Sequence, residues 1–138
     1  MDPLLAHILD AAGRAPSAHN TQPWLLRWHG AMLEVRVNRE RCLPAADPSY
    51  VDILHSLGAM LENVLLTLVQ LGYTPSYRVA EHMDFDSPMA LVWWRKSKEA
   101  PPDPALYRMI PIRRTSRLPY VPEPVEPAAL DALRAAVS

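Results

Sequence analysis

Cysteine, glycine and net charge are all scarce in this chain of 138 residues, and each scarcity removes a class of function. A single cysteine, Cys42, excludes an intramolecular disulfide and fits a reducing compartment. Four glycines leave no glycine-rich loop to cradle a phosphate. A formal net charge of −1 argues against wholesale binding of nucleic acid or of an anionic membrane. Long uninterrupted apolar runs are missing too. The most apolar region, 51–71, carries Asp52, His55, Glu62, Asn63 and Gln70, which argues against a membrane span. No charged-then-apolar leader opens the sequence, so the expected compartment is the cytoplasm. Neither a Ser/His/Asp triad nor a pair of carboxylates at a useful spacing stands out.

Proline is plentiful: fifteen residues, eight of them from Pro101 onward. That tail excludes a long helix or a central strand before the last dozen residues. The expected organisation is a compact body over 1–98 and an extended arm over 99–138. With 49% hydrophobic and 21% charged residues, the body reads as an ordinary globular domain.

Asp2-Pro3 caps and opens a first helix, with Leu5, Ile8, Leu9 and Ala12 on one face and Gly13 and Pro16 as its stop. His7 reads as a surface or boundary residue rather than a ligand. Trp24–Trp28 and Leu33–Val37 are strand-like, joined by a hairpin turn at His29-Gly30-Ala31. Arg36, Arg39 and Arg41, interleaved with acids, read as a solvated face, and Cys42 as a buried thiol rather than a nucleophile. Asp47-Pro48 opens the longest helix, with Ser49–Asp52 in the form of a capping box. Its stripe of Ile53, Leu57, Met60, Leu61, Val64, Leu68 and Leu71, widened by Leu54 and Leu65, is broad enough to need more than one packing neighbour. Gly72 ends it. Gly58 in mid-helix implies the close approach of another backbone. Tyr73–Ala80 and Met89–Trp94 are two further strands, with Trp93 and Trp94 on opposite faces. His82, Asp84 and Asp86 between them read as a polar turn rather than a metal cluster. Past Pro101-Pro102-Asp103-Pro104, Arg108, Arg113, Arg114 and Arg117 place four cations within ten residues and no acid. Such forks match phosphate oxygens bidentately, although a solvated run is the plainer reading. Pro127 opens a last helix, with Leu130, Leu133 and Val137 on one side.

The stretch from Arg14 to Trp24 packs two prolines, an amide pair and a hydroxyl into a stiff, non-helical corner. A plain capped turn, with Ser17 and Asn20 bonding local backbone and Trp24 in the core, would account for it. Pro16-Ser17-x-x-Asn20-x-Gln22-Pro23-Trp24, however, resembles the PSxxNxQPW signature of the nitroreductase family of FMN-dependent oxidoreductases. Arg113-Arg114-Thr115-Ser116-Arg117 resembles the RRSxR element with which such domains normally begin. Here it follows the signature by about a hundred residues, an order similar to that of the fused, Acg-like branch, in which two half-domains share one chain.

The resemblance implies an α+β fold: a nitroreductase-like half-domain with an antiparallel sheet packed on a long central helix, followed by an extended Pro/Arg-rich C-terminal arm. It implies that Pro16, Ser17 and Asn20 face the flavin ring of FMN while Arg113, Thr115 and Arg117 hold its phosphate end, with threonine in place of the usual serine. Gln22 and Trp24 would brace the corner. NAD(P)H would be the electron donor and a small molecule the acceptor. The fused relatives are more than twice as long, so the chain reads as a first half plus the opening of a second. On this reading it pairs with itself as a homodimer or is a truncated portion that holds flavin weakly or, its second half missing, not at all. A flavin-sequestering module without turnover and a plain dimerisation module with an anion-binding arm are the alternatives.

Overall fold

The computed structural model describes residues 2–136; Val137, expected on the apolar side of the last helix, lies outside them. Asp2 accepts the Leu4 N–H at 2.8 Å, and Pro3 occupies the first helical position of α1 (Pro3–Gly13). The buried side of α1 is Ile8, Ala11 and Ala12, continued beyond the helix by Ala15. Leu9, expected on this side, is instead exposed, and Ala11 is buried in the face that meets α2.

After a short 3₁₀ turn at Ala18–Asn20, β1 (Trp24–Trp28) and β2 (Met32–Val37) pair antiparallel, with Trp24 opposite Val37 and Trp28 opposite Leu33. The turn between them needs Gly30 at φ 64°, and His29 and Met32 exchange both backbone hydrogen bonds across it. The remaining elements are α2 (Val51–Gln70), β3 (Tyr73–Val79), β4 (Ala90–Lys96), α3 (Ala105–Met109) and α4 (Pro127–Ala135). The strands form one antiparallel sheet in the order β1-β2-β4-β3. Pro75 is tolerated because β3 is an edge strand.

Alternation decides which side of the sheet is core. Leu33, Val35 and Val37 from β2 and Ala90, Val92 and Trp94 from β4 are buried under α2. The indole of Trp94 packs 5.0 Å from that of Trp28, while Trp93 points outward. From α2, Ile53, Leu57, Met60, Leu61, Val64 and Leu68 fill the other side, each contributing about 1.5–3 kcal/mol by burial. By length and composition alone this helix is apolar enough to cross a membrane; in the fold its stripe is the protein core. It packs on α1 as well as on the sheet, as its breadth requires. The Asn63 side chain donates to the Ala11 carbonyl at 2.9 Å, satisfying a carbonyl near the end of α1.

Several expectations are corrected. The start of α2 is capped by Asp47, not by a Ser49–Asp52 box: buried Asp47 accepts the Ile53 N–H at 3.1 Å. Tyr50 turns the chain with φ 58°, which takes Ser49 out of capping position. Nothing lies within 4 Å of where a Cβ on Gly58 would be, so no backbone approaches it closely. Leu54, on the same stretch of α2, is exposed rather than part of the stripe. Arg36 is not merely solvated. It donates to Glu34 at 2.9 Å and to the Asp86 carbonyl, while Arg39 pairs with Asp86 at 3.0 Å and lies over the Phe85 ring. These contacts fasten the 81–88 loop to β2, so the loop is a tethered turn. Among the described residues no group of three metal-ligating side chains is present. Cys42 is half-buried and donates to the Asn38 carbonyl at 3.3 Å; desolvation pushes its thiol above the usual range, away from the reactive thiolate.

Candidate functional site

The corner between α1 and β1 closes on itself. The Ser17 hydroxyl accepts the Gln22 N–H at 2.9 Å, and the Gln22 side-chain amide donates to the Gly13 carbonyl at 2.8 Å. Both ends of the corner are therefore bound to one residue, which gives Gln22 the bracing role. Within this short span His19, Asn20 and Gln22 hold φ values of 50°, 56° and 49°. Left-handed backbone at non-glycine residues costs on the order of 1 kcal/mol or more each and persists only where the surroundings over-determine it. Here the overdetermining contacts are the two Gln22 bonds, fully buried Pro23, and Arg41, which donates to the Thr21 carbonyl at 3.2 Å.

Pro16, Ser17 and Ala18 form one wall of a cleft of about 250 Å³ whose other wall is Asp52, His55 and Ser56 from the first turns of α2. Spacing of three and four residues puts those three side chains on one helical face. Nothing in the sequence marked that face as part of a site, because its partner wall lies more than thirty residues away in the chain. Ser56 is committed, donating to the Asp52 carbonyl at 2.6 Å. The Ser17 hydroxyl keeps its own proton free to donate. Asn20 is exposed, and its side-chain amide has no hydrogen-bond partner among the described residues. It is not among the residues lining the cleft.

The cationic strip reaches the base of this corner. Arg113 donates through Nη2 to the Arg14 carbonyl at 3.2 Å and through Nη1 to the Thr115 hydroxyl at 3.2 Å. Arg14 precedes Pro16 by two residues, a span of at most about 7 Å. Arg113 and Thr115 are thus brought to the corner within a single copy of the chain. Arg114 is occupied by the Pro111 and Arg113 carbonyls. Arg117 is exposed and makes no side-chain bond or ion pair among the described residues. Of the six residues singled out, five lie in or beside this region, while no contact ties Arg117 to it. Together they offer hydroxyl, amide and guanidinium donors on a rigid frame, a set suited to holding a polar planar ligand rather than to attacking one.

The fold has known counterparts. The fold matches a "putative NADH oxidase" from Clostridium acetobutylicum with a TM-score of 0.58 at 14% identity, over 73% of this chain and 80% of that one. It matches a "putative nitroreductase" from Desulfovibrio desulfuricans, solved in complex with FMN, with a TM-score of 0.56 at 19% identity, over 91% of this chain and 87% of that one. The architecture is therefore nitroreductase-like. In sequence, the chain is 33% identical over 131 residues to a Mycobacterium tuberculosis protein named "Putative NAD(P)H nitroreductase", found in two strains; the match covers 94% of this chain and 38% of that protein. No protein-family model matches the chain. The chain has a nitroreductase-like fold and is similar in sequence to proteins named as nitroreductases. It spans less than two fifths of the length of the curated relatives it matches.

Proposed function

We propose that this chain forms part of an FMN-dependent nitroreductase-like oxidoreductase and corresponds to the N-terminal portion of a fused, Acg-like member. The observation that carries the reading is the Ser17–Gln22–Gly13 closure, which makes the signature corner a rigid wall, with Arg113 bound at its root. The residues present fit the cofactor in kind. Asn20 and Arg117 each keep polar groups without a protein partner, and the strip from Arg108 to Arg117 contains no acid to cancel its charge against a phosphate. When bound, FMN supplies the redox chemistry, taking hydride from NAD(P)H and passing electrons to a small-molecule acceptor.

The chain's own residues do the rest. Pro16, Ser17 and Asn20 present the flat wall and its donors to the ring. Arg113, Thr115 and Arg117 supply positive charge and hydrogen bonds at the phosphate end. Gln22 keeps the wall from relaxing. A homodimer, or the second half of a longer chain, completes the pocket opposite this wall. The setting proposed is cytoplasmic, with neither nucleic acid nor membrane as a partner.

Flavin titration of the purified chain tests this reading. The unmodified chain binds FMN, and Asn20→Asp and Arg117→Ala each weaken binding about tenfold or more, the scale of a charge-assisted hydrogen bond. A colourless protein whose melting temperature ignores FMN, or variants that both bind FMN as tightly as the unmodified chain, would overturn it.

A further inference from the structure

A second cleft of about 250 Å³ lies between α1, α2 and α3 and shares no lining residue with the one at Pro16–Ala18. Its floor is buried: Ala11 and Ile110 are apolar, and the Thr67 hydroxyl is committed to the Asn63 carbonyl at 2.7 Å. Tyr107 of α3 and Pro111 add flat sides. The rim is polar, formed by His7, the Asp10–Arg14 pair and Arg108.

The charges on this rim do not cancel. Arg14 is matched by Asp10, whose carboxylate accepts from its Nε at 2.8 Å; that bond holds the carboxyl below the usual aspartate range. Arg108 has no such partner: its side chain makes no ion pair or hydrogen bond among the described residues. One uncancelled guanidinium therefore stands on the rim, beside the hydroxyl-bearing ring of Tyr107. His7 and Arg108 converge here from chain positions about a hundred residues apart.

We propose that this cleft binds a small monocarboxylate carrying a short aryl or hydrocarbon group. A guanidinium fork matches the two oxygens of a carboxylate. With Arg14 neutralised, a single negative charge is balanced and a dianion is not, which separates this site from a phosphate subsite. The ring or chain of the ligand lies on the Ala11–Ile110 floor against Tyr107 and Pro111. The volume is below the 300–1,000 Å³ usual for drug-sized ligands, which limits the guest to a small one. Because α3 forms one wall and Arg113 ties the following residues to Arg14, an occupied cleft also holds the start of the arm against α1.

The test is titration of phenylacetate into the full chain without flavin, followed by amide chemical shifts. Millimolar or tighter binding is expected, with shifts at Ala11, Arg14, Tyr107 and Ile110. The neutral amide, phenylacetamide, binds about tenfold more weakly or worse, and Arg108→Gln weakens phenylacetate to a similar degree. Arg117→Gln leaves the affinity unchanged. Arg108 is exposed and contributes only its main-chain N–H to the fold, so its variant stays folded; an unchanged melting temperature verifies that. Absence of binding at millimolar ligand, equal affinity for the amide, full affinity in Arg108→Gln, or shifts confined to Ser17–Thr21 and Arg117 would each overturn the proposal.

Discussion

Ser17 and Glu34 show how single side chains set local behaviour in this protein. Ser17 is half-buried, and its hydroxyl is the acceptor that turns the Gln22 N–H inward. In Ser17→Ala that N–H loses its partner while the left-handed backbone remains, so a loss of about 1 kcal/mol is expected, read as a lower denaturant midpoint with an unchanged slope. Glu34 accepts from Arg36 at 2.9 Å, with Arg27 at 3.7 Å and His29 at 3.6 Å beside it. The Arg36 hydrogen bond is the main reason its carboxyl titrates below the ordinary glutamate range, against an opposing desolvation effect. A depressed carboxyl stabilises the fold above its unfolded pKa, and that contribution disappears as pH falls through the folded value. Thermal melts from neutral to acidic pH should therefore show stability falling on acidification, and Glu34→Gln should flatten part of that slope. Identical slopes would deny the pairing any role in stability.

At the scale of elements, α2 organises everything else. It carries the core stripe, one wall of the cleft at Pro16–Ala18, and the polar groups that fasten α1. Its one internal weakness is Gly58, where no neighbour stands within 4 Å of an added Cβ. Glycine there costs backbone entropy with no close contact in return. Gly58→Ala is therefore expected to stabilise the chain by about 1 kcal/mol, seen as a higher melting temperature. A fall would mean that this face is covered in solution by something that needs the room. The apolar groove beside it, between Leu54, Leu57 and Val79, is where such a cover would sit.

At the scale of the whole molecule, body and arm differ in what they bury. Ile110 is buried and α3 packs on α2, so the start of the arm belongs energetically to the body. Residues 111–136 are exposed throughout, and Leu118, Tyr120, Val121 and Leu133 present apolar surface there. A nine-residue helix such as α4 is marginal unless it packs on something. Isologous pairing is the commonest way to cover such surface. Sedimentation of the chain at micromolar concentration is expected to show a dimer; a monomer at that concentration would remove the homodimer reading and leave completion to a longer chain.

Much of this architecture was legible before any coordinates. The Asp2-Pro3 start, the Gly30 hairpin, the α2 stripe and the Trp93/Trp94 division are local or periodic signals, and backbone sterics with burial make them nearly independent of context. The signature corner was legible as well, because its prolines and glutamine act within eleven residues. Long-range pairing was not. That Arg36 and Arg39 tether the 81–88 loop, and that Asp52 and His55 face Pro16, depend on where distant segments meet. By itself the sequence determined which segments are helix, strand and corner, since each choice is made by neighbours a few residues away. Only the tertiary structure decided which side chains share a cleft and which charges are cancelled, because Coulomb and hydrogen-bond energies depend on distance in space, and the chain order does not encode it.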